Sequence, residues 1–148
     1  MPLEEVVSGL FEQGEVPLLL ILDRLTDVRN FGAIARSAWA AGAHAIIIPA
    51  YNSVQVTADA IKTSAGALNH LPVCGVGSLD KAVVFLRNSG IQVIAATEKA
   101  VNPYFNEDFT GPLALLLGAE DEGIHPDLLR KADVLAKIPM PGKLDSLN

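Results

Sequence analysis

Apolar runs of only five or six residues recur along the chain, and most are followed by a segment with helix signals before the next run. The runs are Leu18–Leu22, Ala45–Pro49, Leu71–Val76, Ile91–Ala96, Leu113–Leu117 and Val134–Ile138. A run that is apolar at every position, as Leu18–Leu22 is, reads as a strand buried on both faces. The segments between them carry helix signals. Asn30 is expected to cap a helix running to about Ala41, with Gly42 ending it. Thr57 caps a helix to Thr63, broken at Ser64–Gly66. Ser78 caps another to Asn88, with Ala82, Val83 and Leu86 on its apolar face. His125 and Pro126 open a further helix: proline suits the first helical position, Asp127 complements the dipole, and Ile124 can staple onto Leu129.

Six strands with helical crossovers predict an α/β domain, a mostly parallel sheet with helices on both faces. A length of 148 residues fits one domain. Residues 1–16 are acidic and read as a linker or an N-terminal helix, so the domain is expected over 17–148. Half the residues are hydrophobic and 19% are charged, enough apolar material to exclude a disordered chain. No run approaches the ~20 residues a membrane helix needs. Glu4, Glu5, Glu12 and Glu15 stand where a signal peptide would place its basic and apolar regions. These features predict a soluble, cytoplasmic protein with no membrane partner. The single Cys74 rules out an internal disulfide and a cysteine-built metal site. His44, His70 and His125 lack ligand spacing and read as structural or capping residues, so no metal is implied. The net charge of −6 argues against a nucleic-acid partner unless the basic residues cluster. Arg24, Arg29 and Arg36 are close in sequence, as are Arg130, Lys131 and Lys137.

Ligands of open α/β sheets bind outside the carboxyl ends of the strands, and three loops there stand out. In the first, after strand one, Gly32 and Arg36 lie four apart on one helix face, and Arg36 is expected to lean over Gly32 toward Asn30. Taken alone, a capped helix with a surface arginine explains this segment as well. The second runs from Gly118 to Gly123, where two glycines permit tight turns and Glu120 could pair with Arg36 or hold a ligand hydroxyl; its plain alternative is an acidic surface loop. The third, from Ile138 to Asn148, is shaped by Pro139, Pro141 and Gly142. Ser146 and Asn148 supply polar groups, and Ile138, Met140 and Leu147 form an apolar wall or simply core. No segment carries the three-glycine fingerprint of dinucleotide sites, which argues against a nicotinamide-dependent oxidoreductase.

Together and in this order, the three segments resemble the SpoU (TrmH) class of the SPOUT RNA methyltransferases. The matching patterns are Asn-x-Gly-x-x-x-Arg at Asn30–Arg36, Gly-x-Glu-x-x-Gly at Gly118–Gly123, and Ile-Pro-Met-x-Gly leading to Ser-Leu-Asn at Ile138–Asn148. The stretch Lys62–Ala67 before Leu71–Val73 is similar to the branch that methylates 23S rRNA guanosine. One departure is Val28, where the class commonly has proline after the aspartate. Another is that class members continue beyond the position of Asn148 into a long helix whose threading forms a trefoil knot. The resemblance therefore implies the SPOUT (α/β knot) fold with the knot-forming C-terminal tail missing, and a catalytic domain that is C-terminally incomplete.

The resemblance also implies chemistry: transfer of a methyl group from S-adenosylmethionine to a ribose 2′-hydroxyl of RNA, rRNA in preference to tRNA, by an enzyme that is a homodimer when intact. It implies catalytic roles for Asn30, Arg36, Glu120, Ser146 and Asn148, and cofactor contacts from Thr97, Gly118, Ile138, Met140 and Leu147. Arg36 would activate the hydroxyl. A guanidinium holds its proton across the ordinary pH range and is an unusual base, so Arg36 acts either as a base in a special site or by stabilising the developing alkoxide. A non-catalytic RNA-binding module that kept the fold is the competing expectation, distinguished by cofactor binding.

Overall fold

The computed structural model describes residues 1–25, 27–50, 57–97, 110–118 and 123–136. In chain order the elements are α1 (Leu3–Glu12), β1 (Leu18–Asp23), α2 (Val28–Ala40), β2 (Ala45–Pro49), α3 (Ala58–Thr63), a 3-10 turn (Ala67–Asn69), β3 (Val73–Val76), α4 (Leu79–Asn88), β4 (Gln92–Ala96), β5 (Leu113–Gly118), α5 (Pro126–Leu129) and β6 (Val134–Ala136). The six strands form one sheet in the order β3-β2-β1-β5-β4-β6, and every pairing is parallel.

Alternation along the strands divides the interior into two cores. Leu19 and Ile21 of β1, Ala45 and Ile47 of β2, Val93 and Ala95 of β4, and Ala114 and Leu116 of β5 face one side, where they meet Leu3 and Val7 of α1, Val83 and Leu86 of α4 and Leu128 of α5. Leu20, Leu22, Ile46 and Ile48 face the other side, against Phe31 and Ala35 of α2, Ala60 of α3 and Leu68 of the 3-10 turn. The acidic N-terminal segment thus contains a helix packed on the first core. Helices cover both faces, as the strand–helix alternation predicts.

The predicted caps at Thr57 and Ser78 hold: their side chains accept from Ala60 N–H at 3.1 Å and Lys81 N–H at 3.2 Å. The break after α3 is built by the buried Ser64, whose hydroxyl donates to Ile61 O at 2.7 Å and accepts from Leu68 N–H at 3.2 Å. The weakly patterned strand at Leu71 begins two residues later, because Leu71 N–H still bonds back to Ala67 O of the 3-10 turn. β6 is fastened by Asp133. One carboxylate oxygen accepts from Val93 N–H at 2.7 Å, and the other meets Arg87 Nε at 2.7 Å. Residues 137–148, which carry the third loop and the end of the strand expected to reach Ile138, lie outside the described residues.

Candidate active site

The strand order sets where a ligand can bind. From β1 the chain leaves toward β2 and β3, and from β5 it leaves past β4 toward β6, so the direction of winding reverses between the adjacent β1 and β5. A crevice at the carboxyl ends of such strands is the usual ligand site of an open parallel sheet. Asp23 and Gly118 are register partners there, the last residues of β1 and β5.

Asp23 ties the two strand ends together. Its residue exposure is 8%, so its carboxylate needs partners to offset desolvation. One oxygen accepts from His125 N–H at 2.8 Å, and the same oxygen lies 3.8 Å from Arg24 Nε. The next residue, Arg24, has a φ of +62°, a left-handed conformation that non-glycine residues rarely take. Strand β1 thus ends in an abrupt turn anchored to the start of α5. Sequence reasoning missed this role of Asp23, since a single aspartate closing an apolar run carries no sign of which backbone donor it will meet.

Gly118 is where the second motif turns. A Cβ there would lie 2.2 Å from the carbonyl carbon of Gly123 and 2.4 Å from Ile124 N. The glycine is required because the chain folds back against its own backbone. Glu120, between the two glycines, lies outside the described residues. On the neighbouring strand, Thr97 follows β4 and donates its N–H to Ala136 O at 3.0 Å. Since Ala95 pairs with Leu116, the ends of β4 and β5 bring Thr97 and Gly118 to the same edge.

The first motif differs from the sequence reading in two respects. Asp27, not Asn30, caps α2: its Oδ1 accepts from Arg29 N–H at 2.8 Å and Asn30 N–H at 3.3 Å. Asn30 is the third helical residue, with its own N–H taken by the cap. Aspartate and asparagine cap about equally well, so residue type could not choose between them. The apolar spacing Val28, Phe31, Ala35 could have, since it begins the helix three residues earlier. Val28 occupies the first helical position, where proline is also favoured, which accounts for the departure from the class pattern.

The second difference concerns Gly32. It does not open a path for Arg36 but seats α2 on α3: a Cβ on Gly32 would lie 2.6 Å from Thr63 Cβ and 3.0 Å from Ala60 O. Arg36 itself is exposed, and no hydrogen bond or ion pair joins its side chain to another described residue. Six residues separate Asn30 from Arg36, which is about 120° around the helix and about 9 Å along it. The helix alone therefore sets the two on different sides. Of the remaining predicted site residues, Ile138, Met140, Ser146, Leu147 and Asn148 lie outside the described residues.

Two histidines are structural, as expected. His44 Nδ1 accepts from Leu18 N–H at 3.0 Å while its Nε2 lies 3.5 Å from Glu15. His125 caps α5 by accepting from Asp127 N–H at 3.1 Å. His70 stacks on Trp39 instead. The thiol of Cys74 is pushed above its ordinary pKa by burial in the first core.

Comparison with known proteins agrees with this arrangement. The chain matches the model of the SpoU rRNA Methylase family over residues 17–148. It is 40% identical over 145 residues to the 23S rRNA (guanosine-2'-O-)-methyltransferase RlmB of Photobacterium profundum, covering 98% of this chain and 59% of that protein. RlmB of Escherichia coli is also 40% identical over 145 residues, with 98% of this chain and 60% of that protein covered. The chain thus spans about three-fifths of the length of these relatives. Among solved structures, the SpoU methyltransferase AviRb from Streptomyces viridochromogenes, in complex with the cofactor AdoMet, superposes with a TM-score of 0.76 at 33% identity over 89% of this chain and 52% of AviRb. With the sheet order, the two motif glycines and these matches in agreement, the chain belongs to the SpoU rRNA methylase family.

Proposed function

We propose that residues 17–148 form the catalytic domain of an RNA ribose 2′-O-methyltransferase that uses S-adenosylmethionine and acts on rRNA. The observation that carries this reading is the family match running through a sheet whose winding reverses at Asp23 and Gly118. The relatives named as 23S rRNA guanosine methyltransferases favour rRNA over tRNA. AviRb, solved with AdoMet, favours the cofactor. The described residues fit such a group: Thr97 and Gly118 share one edge at the ends of adjacent strands, and the Gly118 turn brings backbone amide groups close together.

When bound, S-adenosylmethionine would supply an electrophilic methyl group on a sulfonium for transfer to the ribose oxygen, with the thioether as leaving group and the hydroxyl proton passing to solvent water. The protein must align the hydroxyl with that methyl, an orienting effect that can contribute roughly 7–11 kcal/mol in favourable cases. The Asp23–His125 bond ties the end of β1 to the start of α5. Thr97, whose N–H is donated to β6, is assigned to the cofactor site by the edge it shares with Gly118. Arg36, a permanent cation, stabilises the negative charge that builds on the ribose oxygen. Asn30 is assigned to positioning the substrate, and Glu120, Ser146 and Asn148 to positioning the substrate and Arg36. Ile138, Met140 and Leu147 are assigned to the apolar wall of the cofactor site. A homodimer and a cytoplasmic location belong to the same reading; among the described residues no helix is long and apolar enough to cross a membrane.

The test is transfer of a labelled methyl from S-adenosylmethionine to a 23S rRNA fragment, with bulk tRNA as comparison substrate. Arg36→Ala is expected to lower the rate at least about 100-fold, the scale of losing one charge-stabilising donor. Circular dichroism should be unchanged, because Arg36 is exposed. Wild-type rates from this variant would remove Arg36 from the chemistry. Absence of S-adenosylmethionine binding by calorimetry would favour a non-catalytic RNA-binding module.

A further inference from the structure

The outward shoulder of α2 carries features that the site at the strand ends does not use. Trp39, the only tryptophan in the sequence, is 47% exposed. It is held in place by His70, whose ring is offset-stacked on it with centroids 5.5 Å apart and planes at 22°. His70 is exposed as well. Arg29 and Arg36 are seven residues apart, so they differ by only about 20° around the helix and share one line along it. Both are exposed, and neither side chain is paired with a carboxylate among the described residues. The neighbouring α3 carries Asp59 and Lys62, whose charges cancel. Trp39 lies about 15 Å along the helix from Arg29 and about 60–80° around it from the arginine line.

A half-exposed indole on the same helix as two guanidinium groups that meet no carboxylate among the described residues is unexpected on a chain of net charge −6. Exposed aromatic rings combined with a cationic line match the chemistry of a single-stranded nucleic acid, whose bases stack on the rings and whose phosphates meet the cations. We propose that this shoulder is a track for single-stranded RNA, in which Trp39 on its His70 support stacks a nucleobase and Arg29 holds a phosphate on the path toward Arg36. The inference rests on the proposed RNA substrate and deepens it by naming contacts on α2 outside the strand-end crevice. Arg29, Trp39 and His70 are positioning residues in this scheme.

Trp39 is its own reporter. The protein is titrated with a 12-nucleotide single-stranded RNA of mixed sequence, following tryptophan fluorescence and, separately, the anisotropy of the same RNA carrying a 5′ dye. Saturable quenching that coincides with the anisotropy change is expected. Trp39→Ala and His70→Ala should each weaken binding at least about fivefold, the lower end of what one stacked base contributes, with Trp39→Phe retaining most of the affinity. Arg29→Ala should reduce the slope of log affinity against log salt by about 0.7, the value for one phosphate on a single strand. Unchanged fluorescence while the RNA binds, variants that bind like the parent, or no binding at all would each overturn the track. So would a Trp39→Ala variant whose only effect is a change of sedimenting mass, which would make the shoulder a contact between two copies. Methyl transfer assayed in parallel separates the two readings. Active protein with indifferent variants removes the track and leaves methylation; weakened binding without methyl transfer from any form removes methylation and leaves the track.

Discussion

Gly32 in α2 and Gly118 at the end of β5 belong to different motifs, and each invites the same explanation, space for a ligand. In the structure each makes space for the chain itself, but against different neighbours. Beside Gly118 the nearest atoms are backbone atoms of Gly123 and Ile124, which cannot yield without opening the turn. Beside Gly32 the two nearest atoms belong to the side chain of Thr63. A motif glycine can thus be fixed by the path of the main chain or merely by one packed neighbour, and only the second kind can be exchanged together with its neighbour.

The sharpest way to break this distinction is Gly118→Ala. With a Cβ 2.2 Å from a carbonyl carbon, the substitution should cost more than the roughly 1–3 kcal/mol of ordinary overpacking, read as a large drop in the denaturation midpoint or loss of folded protein. A Gly118→Ala protein of parental stability would mean that the turn relaxes freely and that the two glycines are alike. Gly32→Ala should cost about 1–3 kcal/mol. Here a second change sharpens the comparison: Thr63→Gly removes both crowding side-chain atoms, so the double variant should be more stable than the sum of the single effects predicts. Additive effects would show that Ala60 O, at 3.0 Å, is the true obstacle. The smallest effect is expected from Asp27→Ala, which removes the cap of the same helix without touching its packing. It should lower stability by about 1 kcal/mol, seen as a modest shift in thermal unfolding, while Asn30→Ala should leave the helix start intact.

The sequence made the sheet legible because its signal is redundant: every residue from Leu18 to Leu22 is apolar, and the following turns carry cap residues. Strand–helix alternation then forces crossovers, and crossovers force parallel pairing. The order of the strands was less accessible. Nothing local in Leu113–Gly118 says that it will insert beside β1. The family was legible from the residue types of three loops, but the work of each residue was not. Asn30 and Asp27 are equivalent caps by chemistry, and only the helix register separates them. Gly32 and Gly118 look alike until the atoms across from them are known. The tie between Asp23 and His125 joins residues far apart in the chain, beyond the reach of periodicity.

The pairing of Leu18 with Leu113 has a consequence in time. β1 is synthesised well before β5, one of its two neighbours in the sheet. Contacts of such sequence separation slow folding, because the entropy of closing the intervening loop must be met before the contact forms. A nascent chain carrying β1 to β3 has one side of β1 unpaired, its backbone donors and acceptors open to other strands. The crevice between Asp23 and Gly118 therefore cannot close before β5 has been made. Until it does, this protein would depend on rapid completion of its own sheet, or on a chaperone, to keep β1 from a foreign partner.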